Sequence, residues 1–149
     1  MRYLLCALLS LTATASFGQQ VKQFNGTWTK INTTYEFDFI LTLRIDKANQ
    51  VEGHFDWKVV KYDEHNNSSK QYYENKIGMT AKEFVRGRYD TTNNELNLKG
   101  YKKEDPNSII GLDIYTLKID ENGNIGGTTN ALGTWLGRIH GKPVVMEVL

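Results

Sequence analysis

The sequence predicts an all-β fold, a single antiparallel up-and-down β-barrel of about eight strands. Three observations carry that expectation. Apolar and polar residues alternate at period two over long runs. Short, turn-rich segments separate these runs at regular intervals, with no long helical period and no linker between them. The stretch Phe24-Asn25-Gly26-Thr27-Trp28 is echoed near the other end by Gly133-Thr134-Trp135, as expected if the first and last strands meet. A β-sandwich is the alternative, because glycines that bend barrel strands also serve sandwich corners.

The chain begins with a basic Met1-Arg2, an apolar run over residues 3–11 and small residues around Ala13-Thr14-Ala15 and Ser16-Phe17-Gly18. This pattern predicts a secretory signal peptide over residues 1–18, leaving 19–149 as the β-barrel domain. After the first strand, Tyr35, Phe37, Phe39, Leu41, Leu43 and Ile45 share one face of a long strand. Residues 46–50 read as a hairpin connection. The return strand over 51–62 carries Val51, Gly53, Phe55, Trp57 and Val59 on one side. Residues 63–71 have loop composition. Residues 72–82 read either as an extended strand or as a strand leading into a helical turn near 80–83. Strands over 83–90 and 95–101 flank the turn Thr91-Thr92-Asn93-Asn94, and 102–108 is a polar loop. A long strand is expected over 109–120, turned by Glu121-Asn122-Gly123-Asn124. Strands over 125–130 and 134–140 close the series, and the apolar tail 144–149 suits an edge strand. Interior glycines at Gly53, Gly87, Gly100, Gly127 and Gly137 suggest sharp bending or close backbone approach.

Composition narrows the functional classes. Cys6 is the only cysteine and lies in the predicted leader, so the mature domain is expected to lack disulfides and thiol chemistry. Removal of Arg2 leaves 17 basic and 17 acidic residues, a balance that provides no general attraction to nucleic acid or anionic membrane. No membrane span is expected after signal cleavage, and the expected location is periplasmic or secreted. His54, His65 and His140 have no metal-ligand spacing. Asp120, Asn122 and Asn124 imitate the start of a calcium loop, but Ile125 stands where the sharp turn requires glycine. No catalytic residues, metal or cofactor are therefore assigned.

The Gly26-Thr27-Trp28 start resembles the first strand of the calycin superfamily, which includes lipocalins and avidins. Val51-Glu52-Gly53-His54-Phe55 and Val85-Arg86-Gly87-Arg88-Tyr89-Asp90 resemble two avidin strands. The resemblance covers about a fifth of the chain and implies a barrel in which Arg138 covers Trp28 as a structural cap. Biotin binding is not implied, because Lys30, Thr34 and Phe55 stand where avidins carry Asn, Ser and Tyr.

Aromatic residues on predicted inner faces make Phe55, Trp57, Tyr89, Tyr115 and Trp135 candidates for lining a cavity. Asp113 shares a face with Tyr115, Leu117 and Ile119, so it is expected either to point into the barrel, partnered by Arg86 or Arg88, or to lie in water in the opposite register. Arg88 and Asp113 complete the candidate ligand set. The leading expectation is an exported, non-enzymatic barrel holding a small apolar or amphipathic ligand. The alternative is a solid-cored interaction or inhibitor module that engages a protein partner through loops 63–71 and 102–108, beside Tyr72 and Tyr73. Paired carboxylates from distant strands are an arrangement that sequence alone does not reveal.

Overall fold

The computed structural model describes residues 18–131, 133 and 135–145. The predicted leader lies outside the described residues except for Gly18, and so do Thr134 and the tail beyond 145. Eight strands form the barrel: β1 (Gln20–Lys30), β2 (Glu36–Ile45), β3 (Gln50–Lys61), β4 (Thr80–Asp90), β5 (Glu95–Glu104), β6 (Ile114–Ile119), β7 (Ile125–Ala131) and β8 (Trp135–Pro143). Each pairs antiparallel with the next. β8 returns to β1, from Phe24 opposite Pro143 to Lys30 opposite Gly137, and closes the sheet. The sandwich alternative is therefore not realised.

Alternation along each strand sends one set of side chains inward. Phe37, Phe39, Leu41, Leu43 and Ile45 of β2 are buried, as are Val51, Phe55, Trp57 and Val59 of β3. Phe55 lies sandwiched between two rings, stacked 4.8 Å from Trp57 and 4.7 Å from Tyr115. An eight-stranded barrel is just wide enough to be filled by side chains, so rings of this size need small neighbours. Gly137 meets that need, and other interior glycines admit the backbone of the neighbouring strand. A Cβ at Gly87 would overlap the carbonyl oxygen of Asn97 on β5, and one at Gly137 would overlap the indole of Trp28.

The two ends differ. At one end, three tight turns join β2 to β3, β4 to β5 and β6 to β7. Each opens with an aspartate whose carboxylate accepts backbone N–H groups of its own turn. Asp46 accepts from Ala48 and Gln50, Asp90 from Thr92 and Asn93, and Asp120 from Asn122 and Asn124. These bonds hold Asp90 and Asp120 below the usual carboxylate range, with the Asn93 and Asn124 side chains contributing most. The calcium-loop look of residues 120–124 is thus ordinary turn chemistry. Longer connections gather at the other end, which forms a mouth.

Several elements differ from expectation at that mouth. Residues 63–71 are not an open loop. They lead into a short helix, α1 (Asn67–Tyr73), capped by the Asn66 side chain, which accepts from the Ser69 N–H. Tyr73 is buried rather than exposed, whereas Tyr72 remains 47% exposed. Residues 74–79 connect α1 to β4 without the expected strand, and 80–83 belong to β4 and form no helical turn. The strand expected over 109–120 is restricted to β6. Residues 105–113 instead fold across the mouth, where the Asp105 carboxylate accepts from the Ile109 and Ile110 N–H groups. Val144 and Val145 form no edge strand, although the Val144 N–H donates to the Gln23 carbonyl.

The close approach at Gly87 is testable. Gly87→Ala is expected to lower the unfolding free energy by about 1–3 kcal/mol, the usual cost of forcing atoms into a packed interior. Gly126→Ala is the control, since its nearest neighbour would be the Ile139 carbonyl oxygen at 3.7 Å. It should leave stability unchanged or raise it by up to about 1 kcal/mol. Urea denaturation of both variants checks the contrast.

Candidate ligand cavity at the open end

A cavity of about 110 Å³ lies under the mouth. Its walls are aromatic: Trp28 from β1, Phe37 from β2, Trp57 from β3, Tyr73 from α1 and Trp135 from β8. Ile109 and Ile110 enter from the 105–113 connection, beside Gly111. The rings hold one another in edge-to-face contacts, with Trp28 5.5 Å from Phe37 and Tyr35 5.2 Å from Tyr73. The cavity shares Tyr73, Ile109, Ile110, Gly111 and Trp135 with an outer groove that runs along α1 past Lys30 and Tyr35.

Two carboxylates enter this aromatic space. Glu83, near the start of β4, is 1% exposed. Its Oε2 accepts from the Tyr115 hydroxyl and, at 3.3 Å, from Trp57 Nε1, while its Oε1 accepts from the Asp113 backbone N–H at 2.9 Å. Burial raises its pKa to about 7, against the downward pull of those three bonds. Burial also raises Asp113, to about 6, opposed by a hydrogen bond from Thr129. The Asp113 charge adds a smaller upward push on Glu83. Burial first, and then the Glu83 charge, push the Tyr115 hydroxyl well above its ordinary range, so it stays a donor.

Thr129 links the second carboxylate to the aromatic wall. Trp28 Nε1 donates to Thr129 Oγ1 at 2.6 Å, which leaves the threonine hydroxyl proton for Asp113. Glu83 therefore has three donors holding it in place. Asp113, by contrast, has one side-chain partner among the described residues and borders the cavity.

The structure brings together only part of the set expected from the sequence. Trp57, Asp113 and Trp135 line the cavity, and Phe55 and Tyr115 are fully buried beneath it. Arg88 and Tyr89 do not belong there. Arg88 is exposed on the outer face, and the Tyr89 hydroxyl donates to Asn94 at the opposite end of the barrel. Arg86 is also exposed and stacks on Tyr101 at 5.0 Å, so neither arginine partners Asp113. The expected Trp28–Arg138 cap is absent for the same geometric reason. Arg138 is exposed and pairs in register with Thr29 and Thr128, whereas Trp28 points inward opposite Ile139. Trp28 is seated instead by Gly137, Phe37 and Thr129.

Glu83 is the main residue that sequence reasoning missed. It falls in phase with Val85 and Gly87, so the same period-two argument that singled out Asp113 applies to it. The two acids come from β4 and the connection before β6, and meet only in the folded barrel. Among the described residues, no group of three or more His, Cys, Asp or Glu side chains is arranged to hold a metal ion.

Together the fold and site define an eight-stranded barrel with an acid-bearing aromatic cavity at one end. No protein-family model, no curated protein and no solved structure matches the chain.

The raised Glu83 pKa sets a pH dependence of stability. The folded state binds the Glu83 proton more tightly than the unfolded chain, so stability falls as pH rises from about 4.5 through about 7. Glu83→Gln removes this titration. The stability of the natural protein relative to the variant is expected to drop by on the order of 3 kcal/mol between pH 4.5 and pH 8. Urea midpoints measured across that range provide the check, and a pH-independent difference would contradict it.

Proposed function

We propose that the protein is an exported, non-enzymatic barrel that binds one small amphipathic ligand at its open end. The observation that carries this reading is the cavity itself, an aromatic space bordered by two polar acids and continuous with a groove along α1. Apolar cavities of this scale accept small aromatic molecules; an engineered one of about 150 Å³ binds benzene. The barrel is neither hollow nor solid. Below the cavity it is filled by Phe39, Phe55, Tyr115 and the aliphatic residues of β2 and β5.

The non-enzymatic reading rests on how the acids are held. Both Glu83 oxygens already accept hydrogen bonds, an arrangement suited to fixing a wall in place. His54 lies elsewhere, beside Asp56 and Lys82 in an ion-pair cluster on β3 and β4. The two segments considered for a protein partner also shape the mouth. Tyr72 and Tyr73 of α1 donate to the carbonyls of Ser108 and Ile109, which ties the two segments together. Kinship with the calycin superfamily forms part of this proposal, supported by the closed up-and-down order and by Trp28 near one end of β1.

The chain has three tryptophans, and all three line the cavity, so its intrinsic fluorescence reports occupancy directly. Titration with benzyl alcohol is expected to produce a saturable change with one site per chain. Gly111→Phe, which places a ring at the mouth, should weaken binding at least tenfold. Absence of a saturable signal, or equal affinity in the variant, would overturn the reading.

A further inference from the structure

The cavity specifies one property of its ligand beyond size. Its polar side chains are acidic, and among the described residues that line it there is no lysine, arginine or histidine. The nearest bases are engaged outside. Lys30 Nζ sits over the Trp135 ring at 4.2 Å, at the outer groove, and Lys103 Nζ donates to the Ile110 carbonyl and pairs with Asp105. Among the described residues the other titratable group lining the space is the Tyr73 phenol, with the Tyr115 phenol beneath, both pushed upward by burial and neutral at ordinary pH.

We propose that the ligand is a small organic cation carrying a protonated amine, with Asp113 as its counter-ion and the indoles of Trp28, Trp57 and Trp135 as its aromatic walls. This inference rests on the ligand-binding reading above. One geometric fact and two general principles lead to it. Asp113 borders the cavity, and among the described residues Thr129 is its one side-chain partner, so an ammonium can supply N–H donors to its remaining acceptor capacity. Indole faces attract cations, and more strongly when the site is dry. A carboxylate buried in apolar surroundings is costly unless a charge partner or a proton neutralises it.

Proton and cation therefore compete for the same negative site. At pH 8 both acids lie above their raised pKa values and the site favours a cation. At pH 5 both are largely protonated, and the charge preference is lost. The direction follows from the acids, because an alkylammonium group stays charged throughout this range.

The test compares benzylammonium with benzyl alcohol, which has a similar shape and no charge, by tryptophan fluorescence and calorimetry on the folded barrel. Benzylammonium is expected to bind at least tenfold more tightly at pH 8, with the ratio falling below twofold at pH 5. Asp113→Asn should bring the two affinities together at pH 8. The pH series on the natural protein provides the same information if that variant does not fold. Equal affinities at pH 8, or a preference for the alcohol, would overturn the cation assignment and leave the ligand-binding reading standing. Failure of both probes to bind would overturn both.

Discussion

Closure of the sheet between β1 and β8 is the constraint on which everything else depends. It fixes the interior at the width of eight strands, and every inward side chain must fit that width. The Phe55, Trp57 and Tyr115 rings stack across this interior, while Gly87 and Gly127 let the backbone of the next strand come close. Closure also brings Gly137 to the Trp28 indole and Thr129 to its Nε1. An open sheet would have no enclosed end and no cavity.

The same packing joins the site to the core. Glu83 accepts from Trp57 on β3, Tyr115 on β6 and the Asp113 backbone, so one carboxylate spans a large part of the barrel circumference. Gly100 on β5 completes the arrangement, since a Cβ there would overlap Glu83 Oε1. Leaving these buried donors without their acceptor would be expensive. Asp113 is placed by its neighbours in turn: its N–H meets Glu83 and its carbonyl accepts from the Gly100 N–H. The acidic character of the cavity thus has two sources, Glu83 in the barrel wall and Asp113 in the connection before β6, which Glu83 and Gly100 tie to that wall.

Much of this architecture was legible in the sequence. Alternation through Tyr35 and Ile45 and its return through Val51 and Val59 marked β2 and β3 and their inward faces. The Asn-Gly pair at 122–123 marked the turn between β6 and β7, where Gly123 adopts a left-handed φ of 81°. Asp113 was recognisable as an acid in phase with apolar neighbours. The mouth was harder to read. Helix α1 is only seven residues long and is rich in Asn and Ser, residues that suit turns equally well, and its position depends on contacts with residues 108 and 109. Glu83 was obscured because the start of its strand was ambiguous. Arg138 was misplaced because family likeness was set above parity, although Gly137, Ile139 and Gly141 already defined the inward set of β8.

The three aspartate-led turns have a consequence for chain entropy. Each organises its hairpin from donors within four residues, so the closed end needs no distant partner to take shape. The Trp28–Thr129 bond at the mouth joins residues 101 apart in the chain. Bringing such a loop together costs roughly 3 kcal/mol more chain entropy than closing a four-residue turn. In chain entropy alone, the three hairpins of the closed end are therefore the cheapest contacts to make and the Trp28–Thr129 seam that borders the cavity is the most expensive of these.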